Sequence, residues 1–370
     1  MTTSRKRFGA LGMTATAAAA VALLAGCASS SPAPAESGAP TAGETAATAD
    51  FGEISVQYSW IKNEEFAGEF YAYDKGYYDE AGFSSVIGIA GPDTGVAKLL
   101  SGTIQVALTD AASVGAAVAE QDAPLKIIAT TFQKNPFTIL SLKDGGNIAT
   151  PEDLKGKTIG VQASNQSVFS ALLRANGIEE SELTIVPVDF DPTPLMNGDV
   201  DGFMAYLTNE ALTVELAGYE TVNLGYADNG LPYVAESFAV TDQYLAENRD
   251  LLKAFLIAEI KGWTDVFTND LDTTVEIITA HYNESAADGD LTFGPLDPVK
   301  TAMGIEAQNL LISTPETLEN GLFTISDELK AQSLKSLANS GWELTADQLF
   351  DTTIIDEIYA EYPELINYGG

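Results

Sequence analysis

The segment LLSGTIQVALTDAAS, residues 99–113, aligns without gaps to LMNGDVDGFMAYLTN, residues 195–209, at an offset of 96. Each copy reads as the end of a helix, a glycine cap, a strand and a polar turn. The repeat predicts two lobes built on one plan. Since open α/β sheets bind ligands beyond the carboxyl ends of their strands, the two turns should line a shared cleft.

Around this repeat, short apolar strands alternate with helical patterns, at a spacing typical of mainly parallel α/β sheets. We expect lobe one to begin over residues 51–140 and lobe two to span residues 141–236. Residues 237–370, mostly helical, should return to lobe one. The chain would then cross between the lobes near residues 138–143 and 235–240, as in a hinged, two-lobed α/β binding protein.

The N-terminus predicts export. Arg5, Lys6 and Arg7 precede an apolar run, as in a signal peptide over residues 1–26. The run ends in LLAGC, which resembles the cleavage box of bacterial lipoproteins, so Cys27, the single cysteine of the chain, is a candidate for lipidation. The alternative is a plain signal peptide followed by an incidental cysteine. We expect an exported protein held by lipid on the outer face of the cell membrane, with residues 27–50 as a disordered tether.

Composition limits the partners. The 370 residues carry a formal charge of -35, from 53 acidic and 18 basic side chains, which argues against nucleic acid or an anionic membrane surface as partner. After the signal peptide the only arginines are Arg174 and Arg249, neither at the expected cleft, so an arginine fork for sulfonate or phosphate is not visible. Anion sites built from amide groups alone remain open.

Three candidate binding residues have a positional argument. Trp60 follows a strand end, where its indole could stack on a planar ring and donate a hydrogen bond, although a core tryptophan is the alternative. Asp110 could accept hydrogen bonds from an amino-substituted ring, or only cap the helix that starts after it. Tyr206, its counterpart in the repeat, would contact the face of the ring.

The other candidates are polar residues near the expected turns. Asn63 could reach the ligand at Trp60 or cap the next helix. Glu236, beside the second crossing, could contact a ligand in a closed state, with a solvated surface acid as the alternative. Free backbone N–H groups at helix starts near these turns suit an anion or a carbonyl. The remaining candidates are Thr94, Ser113, Gln162, Asn165, Gln166 and Asn209.

The stretch from Trp60 to Phe83 is rich in aromatic residues. Phe66, Phe70, Tyr73 and Tyr77 recur at spacings of four, three and four, which predicts one helical stripe buried against the sheet.

Several motifs together resemble one known family. LLAGC, GYYDEAGF, LLSGTIQVALTD, PEDLKGKTIGVQ and NGDVDGFM occur in the order seen in the substrate-binding components of ABC importers that include thiamine-pyrimidine-precursor, sulfonate and nitrate binding proteins. The resemblance covers about residues 51–270 and implies a type II periplasmic-binding-protein fold. It also implies a monomer that binds a small molecule and delivers it to an ABC permease in the membrane. Trp60 followed by Asn63 resembles the branch that binds pyrimidine precursors of thiamine; riboflavin, sulfonate or taurine, and nitrate are the alternatives.

A fungal pyrimidine synthase shares this family resemblance and is the alternative from another functional class. That enzyme depends on an active-site histidine and a cysteine-rich motif. Here His281 is the single histidine and Cys27 the single cysteine. We therefore expect no enzyme, no catalytic residue, no metal site and no cofactor.

Overall fold

Two five-stranded sheets with the same strand order form the frame of the protein. The computed structural model describes residues 50–290, 292 and 294–368. The predicted signal peptide, Cys27 and nearly all of the predicted tether lie outside the described residues. The ten strands of the described part are β1 Gly52–Gln57, β2 Phe83–Ile89, β3 Val106–Thr109, β4 Leu125–Phe132, β5 Phe137–Leu142, β6 Thr158–Val161, β7 Thr184–Pro187, β8 Gly202–Tyr206, β9 Thr221–Gly225 and β10 Ala235–Thr241.

The first sheet, in lobe one, has the order β2-β1-β3-β10-β4, and the second, in lobe two, has the order β7-β6-β8-β5-β9. In each sheet a single strand runs against the others: β10 is antiparallel to β3 and β4, and β5 is antiparallel to β8 and β9. The mainly parallel α/β architecture of two similar lobes is confirmed.

The internal repeat occupies the same place in both sheets. Strands β3 and β8 hold equivalent, central positions in the two strand orders. Gly102 and Gly198, which match in the repeat, both adopt left-handed backbone angles, with φ of 72° and 77°. Glycine takes this conformation without steric cost, which explains why both copies keep it at the helix end.

The chain crosses between the lobes slightly earlier than expected. Strand β5 already belongs to the second sheet and β10 to the first, so the crossings lie at residues 133–136 and 226–234. The expected crossings near 138–143 and 235–240 are wrong. Both positions lie in strands that pair with a neighbour on each side, and a strand held by two ladders cannot serve as a hinge.

Fifteen α-helices occur in the described residues, and the last eight follow β10. They are α1 Ala67–Asp74, α2 Tyr77–Ala81, α3 Val96–Leu100, α4 Ala111–Gln121, α5 Gln166–Ala175, α6 Thr193–Met196, α7 Glu210–Leu216, α8 Asp242–Glu247, α9 Arg249–Thr268, α10 Leu271–Asp288, α11 Pro298–Ile312, α12 Pro315–Asn320, α13 Asp327–Asn339, α14 Ala346–Leu349 and α15 Thr353–Glu361. None of these helices is both long enough and apolar enough to cross a membrane.

The C-terminal helices contact both lobes. Helix α9 packs on α1 of lobe one, as expected. Helices α11 and α13 also touch α7 and α5 of lobe two. One such contact is a hydrogen bond of 2.9 Å from the Arg174 guanidinium to the carbonyl oxygen of Ser340. The helical region therefore bridges the lobes rather than serving lobe one alone.

The aromatic stretch is buried in a different pattern from the one predicted. Phe66 and Phe70 are in the core, but Tyr73 is 60% exposed, so its predicted burial is wrong. Tyr71 is fully buried in its place, and its hydroxyl lies 2.9 Å from Thr274 Oγ1 on α10. The prediction of one continuous helical stripe is wrong for two reasons. The segment is divided into a 3₁₀ turn, α1 and α2, and α1 packs against neighbours on more than one side.

A cluster of buried polar groups lies inside the core of lobe one, where α1, α2 and α9 meet. Glu69 on α1 is 2% exposed and Glu259 on α9 is fully buried. The Tyr78 hydroxyl donates a hydrogen bond of 2.5 Å to Glu259 Oε1. Burial raises the pKa of Glu259 to about 8, although the hydrogen bond from Tyr78 opposes the shift. Burial and the charge of Glu259 also raise the pKa of Glu69.

These carboxyls should make the protein less stable as the pH rises. The unfolded chain ionises Glu259 near pH 4.5, whereas the folded protein keeps the proton up to about pH 8. The contribution of Glu259 to the free energy of unfolding should be highest below pH 4.5, fall between about pH 4.5 and 8 by up to about 1.4 kcal/mol per pH unit, and level off above that range.

Urea unfolding at pH 5 and pH 9 checks this dependence. The Glu259→Gln variant should lose less stability between the two pH values than wild type, because its buried side chain has no charge to form. Glu306→Gln, at an exposed position of α11, is the matched control and should behave as wild type. Equal pH dependence in wild type and Glu259→Gln would contradict the assignment.

Candidate functional site

A cavity of about 380 Å³ lies between the turns that follow β3 and β8. Lobe one contributes the residues after β1 and β3 and part of β10. Lobe two contributes the end of β8 and the segments after β6 and β7. The two halves of the internal repeat therefore face one space, as the strand-end argument predicted.

Nine of the eleven predicted ligand-binding residues line this cavity. From lobe one these are Trp60, Thr94, Asp110, Ser113 and Glu236; from lobe two they are Gln162, Asn165, Tyr206 and Asn209. Their contact with a ligand stays a prediction.

The other two predicted residues do not line the cavity. Asn63 is 3% exposed, and its Oδ1 accepts a hydrogen bond of 3.3 Å from the Glu65 backbone N–H. It caps the 3₁₀ turn before α1, which is the alternative role considered for it. Gln166 is exposed at the start of α5.

Asp110 is engaged as a helix cap. Its Oδ1 accepts hydrogen bonds from the backbone N–H groups of Ala112 and Ser113, at 2.8 and 2.9 Å, and its Oδ2 accepts from Ser113 Oγ at 2.7 Å. Burial raises the pKa of Asp110, and the bonds from Ser113 and Ala112 oppose this shift. Both oxygens thus hold the first turn of α4 in place beside the cavity.

The polar groups of lobe two are also held by the protein. Gln162 Nε2 donates to the Met204 carbonyl at 2.9 Å, and Asn165 Nδ2 donates to Gln162 Oε1 at 3.1 Å. Glu210 Oε2 accepts from the Tyr206 backbone N–H at 2.8 Å. These bonds fix the turn after β6 against the end of β8, which gives lobe two a rigid polar wall.

Aromatic rings form another part of the wall. Trp60 of lobe one packs edge-on against Phe190 of lobe two, with ring centroids 4.6 Å apart. Tyr206 packs edge-on against Phe137 at the same centroid distance. Trp342, from the C-terminal region, also lines the cavity, and its Nε1 donates to Glu120 Oε1 at 2.8 Å. Such rings offer flat, polarisable surfaces for a planar ligand.

Among the described residues, every Asp, Glu, Lys, Arg or His side chain that lines the cavity is an acid. Six carboxyl side chains line the cavity, whereas no lysine, arginine or histidine does so in the described part of the chain: Glu65, Asp93, Asp110, Glu120, Glu210 and Glu236. Two lysines stand behind the wall. Lys98 Nζ lies 2.9 Å from Asp93 Oδ2, and Lys300 Nζ donates to Asn209 Oδ1.

Comparison with known proteins places the chain in a family. The model of the family described as NMT1/THI5 like matches residues 63–270, more than half of the chain. The chain belongs to the NMT1/THI5-like family. The riboflavin-binding protein RibY of Chloroflexus aurantiacus is 28% identical over 250 residues, which cover 62% of this chain and 68% of the relative.

Solved structures share the fold of this NMT1/THI5-like protein. The ligand-binding component of an ABC-type import system from Staphylococcus aureus superposes with a TM-score of 0.60 at 13% identity, over 83% of this chain and 99% of that one. The periplasmic aliphatic sulphonate binding protein SsuA of Escherichia coli superposes with a TM-score of 0.57 at 15% identity, over 77% of this chain and 85% of that one. The expected type II periplasmic-binding-protein fold is confirmed.

The single histidine of this NMT1/THI5-like chain lies outside the cavity wall. His281 on α10 stacks on Phe70, with ring centroids 4.5 Å apart, and its Nε2 is 3.0 Å from Asp74 Oδ1. The side chain therefore joins α10 to α1 through its contacts with Phe70 and Asp74.

Sequence reasoning missed several residues of the wall. Glu65 lies two residues after the predicted Asn63 but is not among the predicted site residues. Glu210 follows the predicted Asn209 and was not selected. Phe137, Phe190 and Trp342 come from segments that carry no motif, and only folding brings them to the cavity. Proximity to a strand end was a usable signal for Glu65 and Glu210, and also for Phe190, which follows β7.

The capping role of Asp110 can be tested without a ligand. Asp110→Ala should lower the free energy of unfolding by about 1 to 2 kcal/mol, because two backbone N–H groups of α4 lose their acceptor. Asp110→Asn keeps an amide oxygen for those groups and should stay within roughly 0.5 kcal/mol of wild type. Chemical denaturation measures both. If the alanine and asparagine variants are equally stable, the cap is not the role of this side chain.

Proposed function

We propose that this protein is the extracytoplasmic ligand-binding component of an ABC importer and closes its two lobes around a planar nitrogen heterocycle. The observation that carries the proposal is the cavity between the lobes, lined by aromatic rings and carboxyls and by no basic residue among those described. A pyrimidine precursor of thiamine is the first candidate ligand. Cys27 would anchor the protein by lipid, as a monomer, close to a membrane permease.

An aminopyrimidine fits the chemistry of the wall. Its amino group donates hydrogen bonds, and carboxyl oxygens such as those of Glu65 and Glu236 accept them. Its flat ring can stack on an aromatic side chain such as Trp60, where geometry adds about 0.5 to 1.5 kcal/mol beyond the buried area. The cavity volume of about 380 Å³ lies within the range of about 300 to 1,000 Å³ typical of small-molecule sites.

Riboflavin is the second candidate, supported by the similarity to RibY. Its fused rings are also planar and nitrogen-rich, so the same aromatic residues would serve it. Sulfonate and nitrate, the remaining alternatives, are less well suited. An anion in this cavity would lie among six carboxyl side chains with no basic side chain among the described lining residues, and those carboxyls that are ionised would repel it.

A ligand panel tests the proposal directly. Purified protein should show tight binding and thermal stabilisation with an aminopyrimidine precursor or with riboflavin, and little response to taurine, an alkanesulfonate or nitrate. Thermal shift and tryptophan fluorescence suit the measurement, because Trp60 and Trp342 both line the cavity. Tight binding of taurine or nitrate with no response to heterocycles would refute the proposed ligand class. We expect no turnover of any bound compound.

Aromatic truncation tests which wall residues hold the ring. Trp60→Ala and Tyr206→Ala should each weaken binding by roughly 1 to 3 kcal/mol, since a stacked ring loses its partner. Tyr219→Ala, at a partly exposed tyrosine of lobe two that does not line the cavity, should bind as wild type. Isothermal titration gives the affinities. Unchanged affinity together with lower stability would assign Trp60 and Tyr206 to the core.

A further inference from the structure

Glu65 and Glu236 differ in their hydrogen bonding from Asp110 and Glu210, two other carboxyl side chains of the cavity wall. Asp110 and Glu210 use both oxygens on protein donors. Glu65 is only 2% exposed, yet no described group donates a hydrogen bond to either of its carboxyl oxygens. Buried polar atoms are normally paired, so an unpartnered carboxyl that faces a cavity marks a place for a ligand donor.

Glu236 is the second of these side chains. It is 3% exposed, and its Oε2 accepts a hydrogen bond of 2.9 Å from Ser59 Oγ. Its backbone has a φ of 45°, in the left-handed region that side chains other than glycine rarely adopt. Such strain persists where the surrounding fold enforces it, and it concentrates at ligand sites. The strand β10 thus holds Glu236 in a costly conformation that places it on the wall.

Glu65 and Glu236 act on each other through their charges. Burial raises the pKa of Glu65, and the charge of Glu236 is the next cause, ahead of Glu64 and Glu210. Burial, with a contribution from Asp110, raises the pKa of Glu236 to about 8, and the bond from Ser59 opposes the shift. Burial also raises the pKa of Glu64 and Glu210, and the positive charge of Lys300 on α11 opposes the rise at these two residues and at Glu65.

We propose that Glu65 and Glu236 form a carboxylate clamp for the positively charged, N–H-bearing edge of an aromatic ligand, such as a protonated aminopyrimidine or an amidinium group. The inference deepens the proposed function and rests on it. A planar edge with two parallel N–H donors matches the two oxygens of one carboxylate, and a positive charge relieves the repulsion between two buried carboxyls. The aromatic rings nearby add attraction for a cation through their faces.

The clamp predicts that binding of a cation releases protons. Near neutral pH the empty clamp retains at least part of a proton, and a cation favours the ionised form. Affinity for a permanent cation should therefore increase as the pH rises toward 8, by up to tenfold per pH unit for each proton released. A neutral ligand of the same shape should show no such increase.

Benzamidine and benzamide form a matched pair of probes. Both are planar and have the same number of heavy atoms, but benzamidine carries an amidinium charge throughout pH 6 to 8 and benzamide is neutral. Titration calorimetry on the full-length protein should give at least tenfold tighter binding of benzamidine at pH 8. The preference should shrink about tenfold at pH 6, and calorimetry in two buffers with different heats of ionisation should show proton release with benzamidine alone.

Variants of Glu65 and Glu236 test whether these side chains produce the preference for benzamidine over benzamide. Glu65→Gln and Glu236→Gln should each reduce the preference for benzamidine at least fivefold, and Glu65→Asp, which keeps the charge, should retain more of it. Glu306→Gln, exposed on α11, should behave as wild type. Circular dichroism verifies that each variant is folded. Should a glutamine variant fail to fold, the two probes and two pH values on wild type decide the matter.

The outcomes separate the clamp from the proposed function. Equal affinity of wild type for benzamidine and benzamide at pH 8 would overturn the clamp, as would full preference in folded Glu65→Gln and Glu236→Gln proteins. If an aminopyrimidine or riboflavin still binds tightly in that case, the proposed function stands without the clamp. If no heterocycle binds at all, the proposed function itself fails.

Discussion

The pairing of β10 with β3 and β4 is the interaction on which the rest of the structure depends. This strand returns from lobe two and inserts antiparallel between two strands made much earlier in the chain. Ser237 pairs with Thr109 on one side and Thr130 on the other, and the Thr130 and Ser237 hydroxyls lie 2.9 Å apart. The insertion completes the first sheet and sets the position from which the C-terminal helices start.

The same pairing builds half of the cavity. Because Ser237 is opposite Thr109, its neighbour Glu236 arrives beside Asp110 at the end of β3. Lobe two repeats this design, since β5 is inserted beside β8 and brings Phe137 opposite Tyr206. Residues distant in the chain thus meet at strand ends, as is usual for sites in open α/β sheets.

Buried carboxyl groups occur at two places in this fold, in the core of lobe one and at the cavity. In the core of lobe one, Glu259 shares a hydrogen bond with Tyr78 and is buried away from the cavity. At the cavity, Glu65 and Glu236 are buried almost as fully but face a space that a ligand can enter. Desolvation disfavours the charged form of both sets. Glu65 and Glu236 border the cavity and Glu259 does not, so the proposed ligand could offset the cost of desolvation only at the cavity.

Much of the frame could be predicted from the sequence because it depends on local signals. Gly102 and Gly198 mark helix ends that need left-handed backbone, and the strands after them repeat with their polar turns. Asp110 and Tyr206, in the turns that follow these strands, both line the cavity, and their contact with a ligand stays a prediction. The predicted burial of Tyr73 is wrong because periodicity shows that a helix has an apolar face, but not which of its residues neighbouring elements will cover.

The sequence by itself determined the two-lobed α/β plan, the strand ends that meet at the cleft and the acidic character of the protein. Only the tertiary structure decided which acids are buried and that Phe190 and Trp342 line the cavity. It also decided that Asp110 is engaged as a helix cap, while the Glu65 carboxyl has no hydrogen-bond partner among the described residues. The physical reason is that propensity and periodicity act over a few residues, whereas desolvation and ring contacts depend on segments that approach only after folding.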